Sequence, residues 1–315
     1  MLYQQLNEYQ KWQKDNSVFE FIVVDNSSIE NAQQSALEQN FSWINFIFLK
    51  TNEGPSHARN IGLARSKGEF IQFIDDDDLI TQEKIEGQLN FLHSNPSIDV
   101  VVGATQKDNW STNNLPVKDV NQINFPAFVA VENCSDLTKT EGFFQIGSAL
   151  FRKKKLLEVK GFDESRWFIE DVDLYLRLFM AGARIVVNKN LPFGLFWRKS
   201  NDGNSLSERD RRLFLEGCLV NYLFCVDNAL LKTNLDYQVT YTGIYSIINQ
   251  NILPKSSLYL RGIELLDNLP IIQKINFLPV KSTISILTGF EKFFKISKAF
   301  RKIKARIIEH PTRHA

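Results

Sequence analysis

The chain has 315 residues, with 37 Lys and Arg against 36 Asp and Glu and a formal net charge of +1. That balance excludes a broad electrostatic grip on nucleic acid, and the length allows a large core with room for an appendage. Three cysteines, Cys134, Cys218 and Cys225, at no metal-ligand spacing, exclude a disulfide framework and fit a reducing, cytoplasmic setting, and no apolar run or leader pattern leads us to expect secretion or membrane spanning.

In chain order, the opening "MLYQQLNEYQKW" is polar and amphipathic and predicts a helix. Apolar runs rich in β-branched and aromatic residues at 18–25, 44–50, 69–75 and 98–103 predict strands, with helical patterns between them at 30–39, 56–66 and 81–93. This alternation marks βα units and predicts an α/β fold with a mostly parallel, Rossmann-like sheet flanked by helices. Residues 104–140 are polar and without period, so a long excursion or small antiparallel strands are expected. "FFQIGSALFRKKKLLEV" reads as strand then helix, and "EDVDLYLRLFMAGARIVV" as helix, a stop at Gly182, and strand. After "WRKSNDGNSLSERD" the chain turns predominantly helical, which divides it into 1–207 and a helical extension, 208–315. The extension ends in "FFKISKAFRKIKARII", where Phe293, Ile296, Phe300, Ile303 and Ile307 form one stripe among Lys and Arg. Such a helix either docks on the rest of the chain or lies peripherally on an anionic membrane surface.

The strand at 69–75 runs into four aspartates, "EFIQFIDDDDLI". Like charges this close oppose one another's ionisation and ask for water or a cation. In an extended chain Asp75 and Asp77 share one face and Asp76 and Asp78 the other, so one hard cation such as Mg²⁺ or Mn²⁺ could take Asp75 and Asp77. The plainer alternative is a solvated turn ahead of the next helix. Asp25 ends the first strand, on the edge where open α/β sheets bind ligands, and serves equally as a turn or capping residue. "TNEGPSHARNIG" follows the second strand. Its Ser56 is placed to cap a helix carrying Arg59, either a diphosphate contact or a surface arginine. Glu170, Asp171 and Asp173 fall in the first turn of a helix, where the helix dipole alone favours acids, but Trp167 and Phe168 lead into them with an aromatic face suited to a sugar ring.

Four stretches in this order, "FIVVDNSS", "NEGPSHARNIGLARSKGEFIQFIDDDDL", "GSALFRKKKLLEVKGFDES" and "EDVDLYLRLFMAGARI", resemble the family 2 glycosyltransferases of the GT-A fold over roughly residues 19–207. The resemblance implies an Asp-x-Asp element at Asp75 and Asp77 that holds a divalent cation, Mn²⁺ or Mg²⁺, against the diphosphate of a nucleotide-sugar, with Asp77 the direct ligand. It implies nucleotide or diphosphate contacts from Asp25, Arg59, Asp75, Asp76 and Arg198. Asp171 would be the general base in an inverting displacement by a glycan or lipid-linked acceptor hydroxyl, and Glu170 would orient the site. The donor would be a UDP-sugar.

Two departures from the family pattern stand out. The family's opening strand, of the type "VSIIIPTYN", has no counterpart before the first helix. Its central place, between the strands ending at Asp25 and Asp75, would leave apolar edges unpaired, and a start site assigned too late or a truncated gene would account for it. A catalytically impaired chain acting as a binding or scaffold partner is the alternative function. In the loop after "FWR", Ser200 stands where many relatives carry a histidine. An aspartate-nucleophile phosphatase also ends a strand in Asp-x-Asp, but Leu79 and Ile80 do not continue its pattern.

Overall fold

Short apolar runs set most of the strands here, the polar β-strand at Thr105–Asp108 being an exception. The computed structural model describes residues 2–12, 19–27, 31–108, 116–127, 129–138, 144–198, 210–250 and 256–269. In order they form α1 (Leu2–Gln10), β1 (Ile22–Asp25), α2 (Asn31–Asn40), β2 (Asn45–Phe48), α3 (Pro55–Arg65), β3 (Phe70–Ile71), β4 (Leu79–Ile80) and α4 (Gln82–Ser94). Then come β5 (Val100–Val102), β6 (Thr105–Asp108), β7 (Ile123–Asn124), α5 (Cys134–Thr138), β8 (Ala149–Arg152), α6 (Lys153–Glu158), α7 (Glu170–Met180), β9 (Ile185–Val187) and β10 (Leu195–Arg198). Three helices follow, α8 (Arg211–Asp227), α9 (Asn234–Gln250) and α10 (Ser257–Asn268). Ser200 and the basic stripe from Phe293 to Ile307 lie outside the described residues.

The chain divides into two units, Met1–Arg211 and Arg212–Ala315. The first is the expected α/β fold, with mixed sheets flanked by helices. β1 pairs with β2 in parallel, and two further sheets run β3-β8-β5-β9 and β4-β10-β6-β7. The pairs β5-β9 and β6-β10 are parallel, while β8 meets β3 and β5 in antiparallel fashion. Among the described residues β1 and β3 do not pair with each other. The aperiodic stretch after residue 104 contains antiparallel β6 and β7 and the short α5. Val100, Val101 and Val102 of β5 are fully buried, and Leu92 of α4 and Leu150 of β8 pack with Val101. Fully burying each such side chain contributes about 1.5–3 kcal/mol.

Two sequence expectations change at the sheet's working edge. The strand predicted over 69–75 ends its ladder at Ile71, because the Gln72 amide donates to the carbonyls of Phe73 and Gly147 and takes the chain out of register. Asp76 and Asp77 then form a turn, closed by the Asp78 amide donating to the Asp75 carbonyl at 3.1 Å. The alternation of an extended chain therefore does not apply to the four aspartates. Ser56 does not cap α3 either. Gly54 is the capping residue with φ 91°, Pro55 occupies the first turn, and the Ser56 hydroxyl donates instead to the Arg166 carbonyl at 2.9 Å.

The second unit has its own core, in which Leu215, Leu219 and Leu223 of α8 pack with Ile244 and Ile248 of α9 and Ile263 and Leu266 of α10. No helix among the described residues is long and apolar enough to cross a membrane.

Candidate active site

The turn at 75–78 is held from three directions. Asp75 Oδ1 accepts from Arg59 Nη2 at 2.8 Å and its Oδ2 from Gln145 Nε2 at 3.0 Å. The same Gln145 nitrogen donates to Asp78 Oδ2 at 2.9 Å, and Asp78 Oδ1 accepts from the Arg198 backbone amide at 3.0 Å. From α1, Gln5 Nε2 donates to the carbonyls of Asp75 and Asp78, and the Tyr9 hydroxyl accepts from the Ile80 amide. Asp78 is buried, whereas Asp76 is exposed and Asp77 partly so. Burial together with the neighbouring Asp75 pushes the Asp78 carboxyl up, and Asp76, exposed at its edge but partly desolvated by the surrounding chain, is pushed up in the same direction with the help of Asp75. Burial, Asp75 and Asp76 push Asp77 up to about 6, and the charge of Arg198 offsets this in part.

Arg59 reaches this turn from α3, whose start is set by the Gly54–Pro55 pair. Its Nη1 donates to Glu170 Oε1 at 2.7 Å while Nη2 holds Asp75, so one guanidinium joins the aspartate turn to the amino terminus of α7. Burial works against the arginine's charge, but Asp75 and Glu170 hold its pKa above the ordinary value. Asn26, just past β1, ties the strand end to the following loop, its amide donating to Asn52 Oδ1 and the Gly54 carbonyl.

α7 begins under strain. Ile169, its capping residue, has φ 57°, a left-handed conformation that costs a β-branched residue about 1–3 kcal/mol. The three acids of its first turn have different surroundings. Asp173 is buried between Arg166 and Arg177, at 3.3 and 2.8 Å. Glu170 holds Arg59. Asp171 accepts from the adjacent Val172 amide at 2.8 Å, and burial together with the charge of Glu170 pushes its carboxyl up to about 7. A carboxylate with that pKa is suited to take a proton near neutral pH. Trp167, 45% exposed, covers Gly54, where an added Cβ would stand 3.1 Å from the indole.

Arg59, Asp75 and Glu170 are therefore in direct contact, Asp171 adjoins them in sequence, and Arg198 reaches the turn through its amide on Asp78. Asp25 is buried at the end of β1, and its carbonyl accepts from the Leu49 amide. Sequence reasoning missed Gln5, Gln145 and Ile169. A buried glutamine and a strained isoleucine leave no periodic signal in the sequence.

Among the described residues no group of three or more His, Cys, Asp or Glu is arranged to hold a metal ion by itself. The turn nevertheless fits a hard divalent cation. Its carboxyls are raised by burial and by one another's charge, the donor atoms it offers are oxygens, and substrate phosphates with water can complete such a shell.

The family model described as "Glycosyl transferase family 2" matches residues 4–159, a span that includes Asp25, Arg59 and the aspartate turn and stops before Glu170. An uncharacterized glycosyltransferase of Haemophilus influenzae is 26% identical over 250 residues, covering 78% of this chain and 80% of the relative. The minor teichoic acid biosynthesis protein GgaA of Bacillus subtilis is 26% identical over 199 residues, 60% of this chain and 42% of its own length. In structure the chain is similar to S. aureus TarS 1-349 in complex with UDP-GlcNAc, with a TM-score of 0.63 and 18% identity over 96% of this chain and 88% of that one, a likeness that shows the fold. Residues 4–159 are thus a family 2 glycosyltransferase domain.

Proposed function

We propose that the unit ending near Arg211 moves a sugar from a UDP-sugar to a hydroxyl of a glycan or lipid-linked acceptor, with inversion at the anomeric carbon. The observation that carries this reading is the Arg59 bridge, which sets Asp75 of the donor-side turn and Glu170 of the acceptor-side helix on one guanidinium. UDP-GlcNAc in the similar TarS structure supports a nucleotide-sugar donor, and the teichoic acid relative supports a cell-surface polymer acceptor.

In the proposed reaction the acceptor oxygen attacks the anomeric carbon as the bond to the diphosphate breaks, and Asp171 takes the hydroxyl proton. Positioned bases of this kind contribute about 10²–10⁴-fold. Glu170 and Arg59 hold the two sides in register. Asp77, with Asp75, would hold a divalent cation, which when bound neutralises the departing nucleoside diphosphate. Asp25 and Arg198 border the nucleotide.

Calorimetric titration of UDP, with and without Mn²⁺, into this chain and an Asp77→Asn variant tests the reading. Binding strengthened by Mn²⁺ and lost in the variant is expected. A folded chain that binds no UDP under either condition would overturn it and favour a scaffold role.

A further inference from the structure

The four aspartates do not hold their own geometry. Asp75 and Asp78 converge on one nitrogen, Gln145 Nε2, at 3.0 and 2.9 Å. A primary amide carries two N–H hydrogens, one for each carboxylate. Which end of the amide faces the acids is fixed by its other contact, because Gln145 Oε1 accepts from the Gly147 amide at 2.5 Å. Gly147 is itself held, its carbonyl accepting from Gln72 Nε2 at 2.9 Å, and Gln72 Oε1 accepts from Nζ of the buried Lys84. A Cβ at residue 147 would stand 3.0 Å from Gln145 Oε1, so the glycine leaves room for this arrangement. Gln145 is 8% exposed.

The chemistry of the donor matters as much as its place. A lysine or arginine here would also hold both acids, but its charge would neutralise the turn from inside and compete with any external cation. An amide fixes the two acids without adding a positive charge to the turn. Asp75 is thereby fixed through both oxygens, by Arg59 on one side and Gln145 on the other, and Asp78 becomes the strut that ties the turn to β10 through the Arg198 amide.

We propose that Gln145 is a positioning residue for cation binding: its uncharged amide aims Asp75 and anchors the turn that presents Asp77 to a divalent cation. The proposal rests on the reading of Asp75 and Asp77 as the cation–diphosphate element.

The test compares the native chain with Gln145→Met, which keeps the volume and removes the donor, and Gln145→Lys, which keeps a donor and adds charge. Mn²⁺ binding in the presence of UDP is read from the resonance of free Mn²⁺, and UDP binding without metal by calorimetry. Loss of a residue that orients a metal ligand costs about 10–100-fold in metal affinity, and that loss is expected in both variants. Affinity for UDP alone should stay within about threefold, a split that general structural damage would not give. A Gln145→Met chain that binds Mn²⁺ as well as the native chain, or loses both ligands together, overturns the proposal. If that variant does not fold, Gln145→Asn keeps the amide but withdraws it by one carbon. The same split is expected there, and unchanged Mn²⁺ affinity overturns the proposal. Failure of the underlying reading is distinguishable, since the native chain itself would then bind UDP with no contribution from Mn²⁺.

Discussion

The aspartate turn and the first turn of α7 are two acid clusters joined by one arginine, and they manage their charge in opposite ways. Each has an acid on Arg59, Asp75 in one and Glu170 in the other. Each has a buried strut, Asp78 or Asp173, and each has an acid with a raised pKa, Asp77 at about 6 or Asp171 at about 7. The struts differ. Asp173 is neutralised by Arg166 and Arg177, whereas the side chain of Asp78 is held by the uncharged donors Gln145 and the Arg198 amide. The helix balances its charge internally and is left with one carboxylate able to take a proton. The turn shares Arg59 through Asp75 and secures its buried acid with uncharged donors.

The largest test of this division is Asp171→Asn. Transfer should fall about 10²–10⁴-fold while UDP binding with Mn²⁺ is retained, because the donor side is untouched. For the native chain the transfer rate should fall as pH drops below about 7, where Asp171 protonates, and level off above it. Stability should move the other way. The folded pKa of Asp171, about 7, lies above its ordinary value of 3.8, so its contribution is present at low pH and is lost as pH rises through about 7. Asp171→Asn should therefore melt higher than the native chain at pH 8, and the gap should close towards pH 4. Full activity in this variant would remove Asp171 from the reaction and with it the division of labour within α7.

Asp173→Asn should do the reverse. It leaves Arg166 and Arg177 facing a neutral group in a buried site, a loss of about 3 kcal/mol, or roughly 6–12 °C in melting temperature for a unit of this size. The rate per folded molecule should change far less than in Asp171→Asn. Circular dichroism melts and transfer assays on the same samples separate the two. A variant that melts like the native chain but transfers no sugar would break the assignment of Asp173 as a strut.

Much of this comparison was legible in the sequence, and the rest was hidden for identifiable reasons. The helix at 170–180 was read from its apolar spacing and the stop at Gly182, which has φ 71° with its amide on the Phe179 carbonyl. The acids of that helix were all visible, but which one is neutralised depends on Arg166, Arg177 and Arg59, whose approach only the fold sets. Ser56 was read as a cap because serine favours that place, yet the Gly54–Pro55 pair fixes the helix start and frees the hydroxyl for Arg166. The aspartates were assigned alternating faces because the apolar run read as strand through residue 75. Gln72 ends that ladder with its side chain, and a polar residue in an apolar run gives no warning of it. Gln145 was passed over for the same reason, since its role depends on two carboxylates some seventy positions earlier, at separations of 70 and 67.

The smallest expected effect lies at the join between the two clusters. His57, in the first turns of α3, has Nδ1 at 2.9 Å from Glu164 Oε2 and Nε2 at 3.7 Å from Glu53 Oε2. It thus ties the loop before α3 to the segment that leads into Trp167 and α7. The hydrogen bond with Glu164 raises its pKa above 6.5, so this link is fully present below 6.5 and is lost as pH rises through the higher folded value. Following the His57 ring proton by NMR should give a titration midpoint above 6.5, and Glu164→Gln should bring it down. Amide exchange at residues 51–54 should quicken as His57 deprotonates in the native chain and lose that pH step in His57→Gln. A midpoint at or below 6.5 would mean that the Glu164 contact does not persist in solution. The two acid clusters would then be joined at this face by Arg59 and the Ser56 contact, without a pH-dependent link.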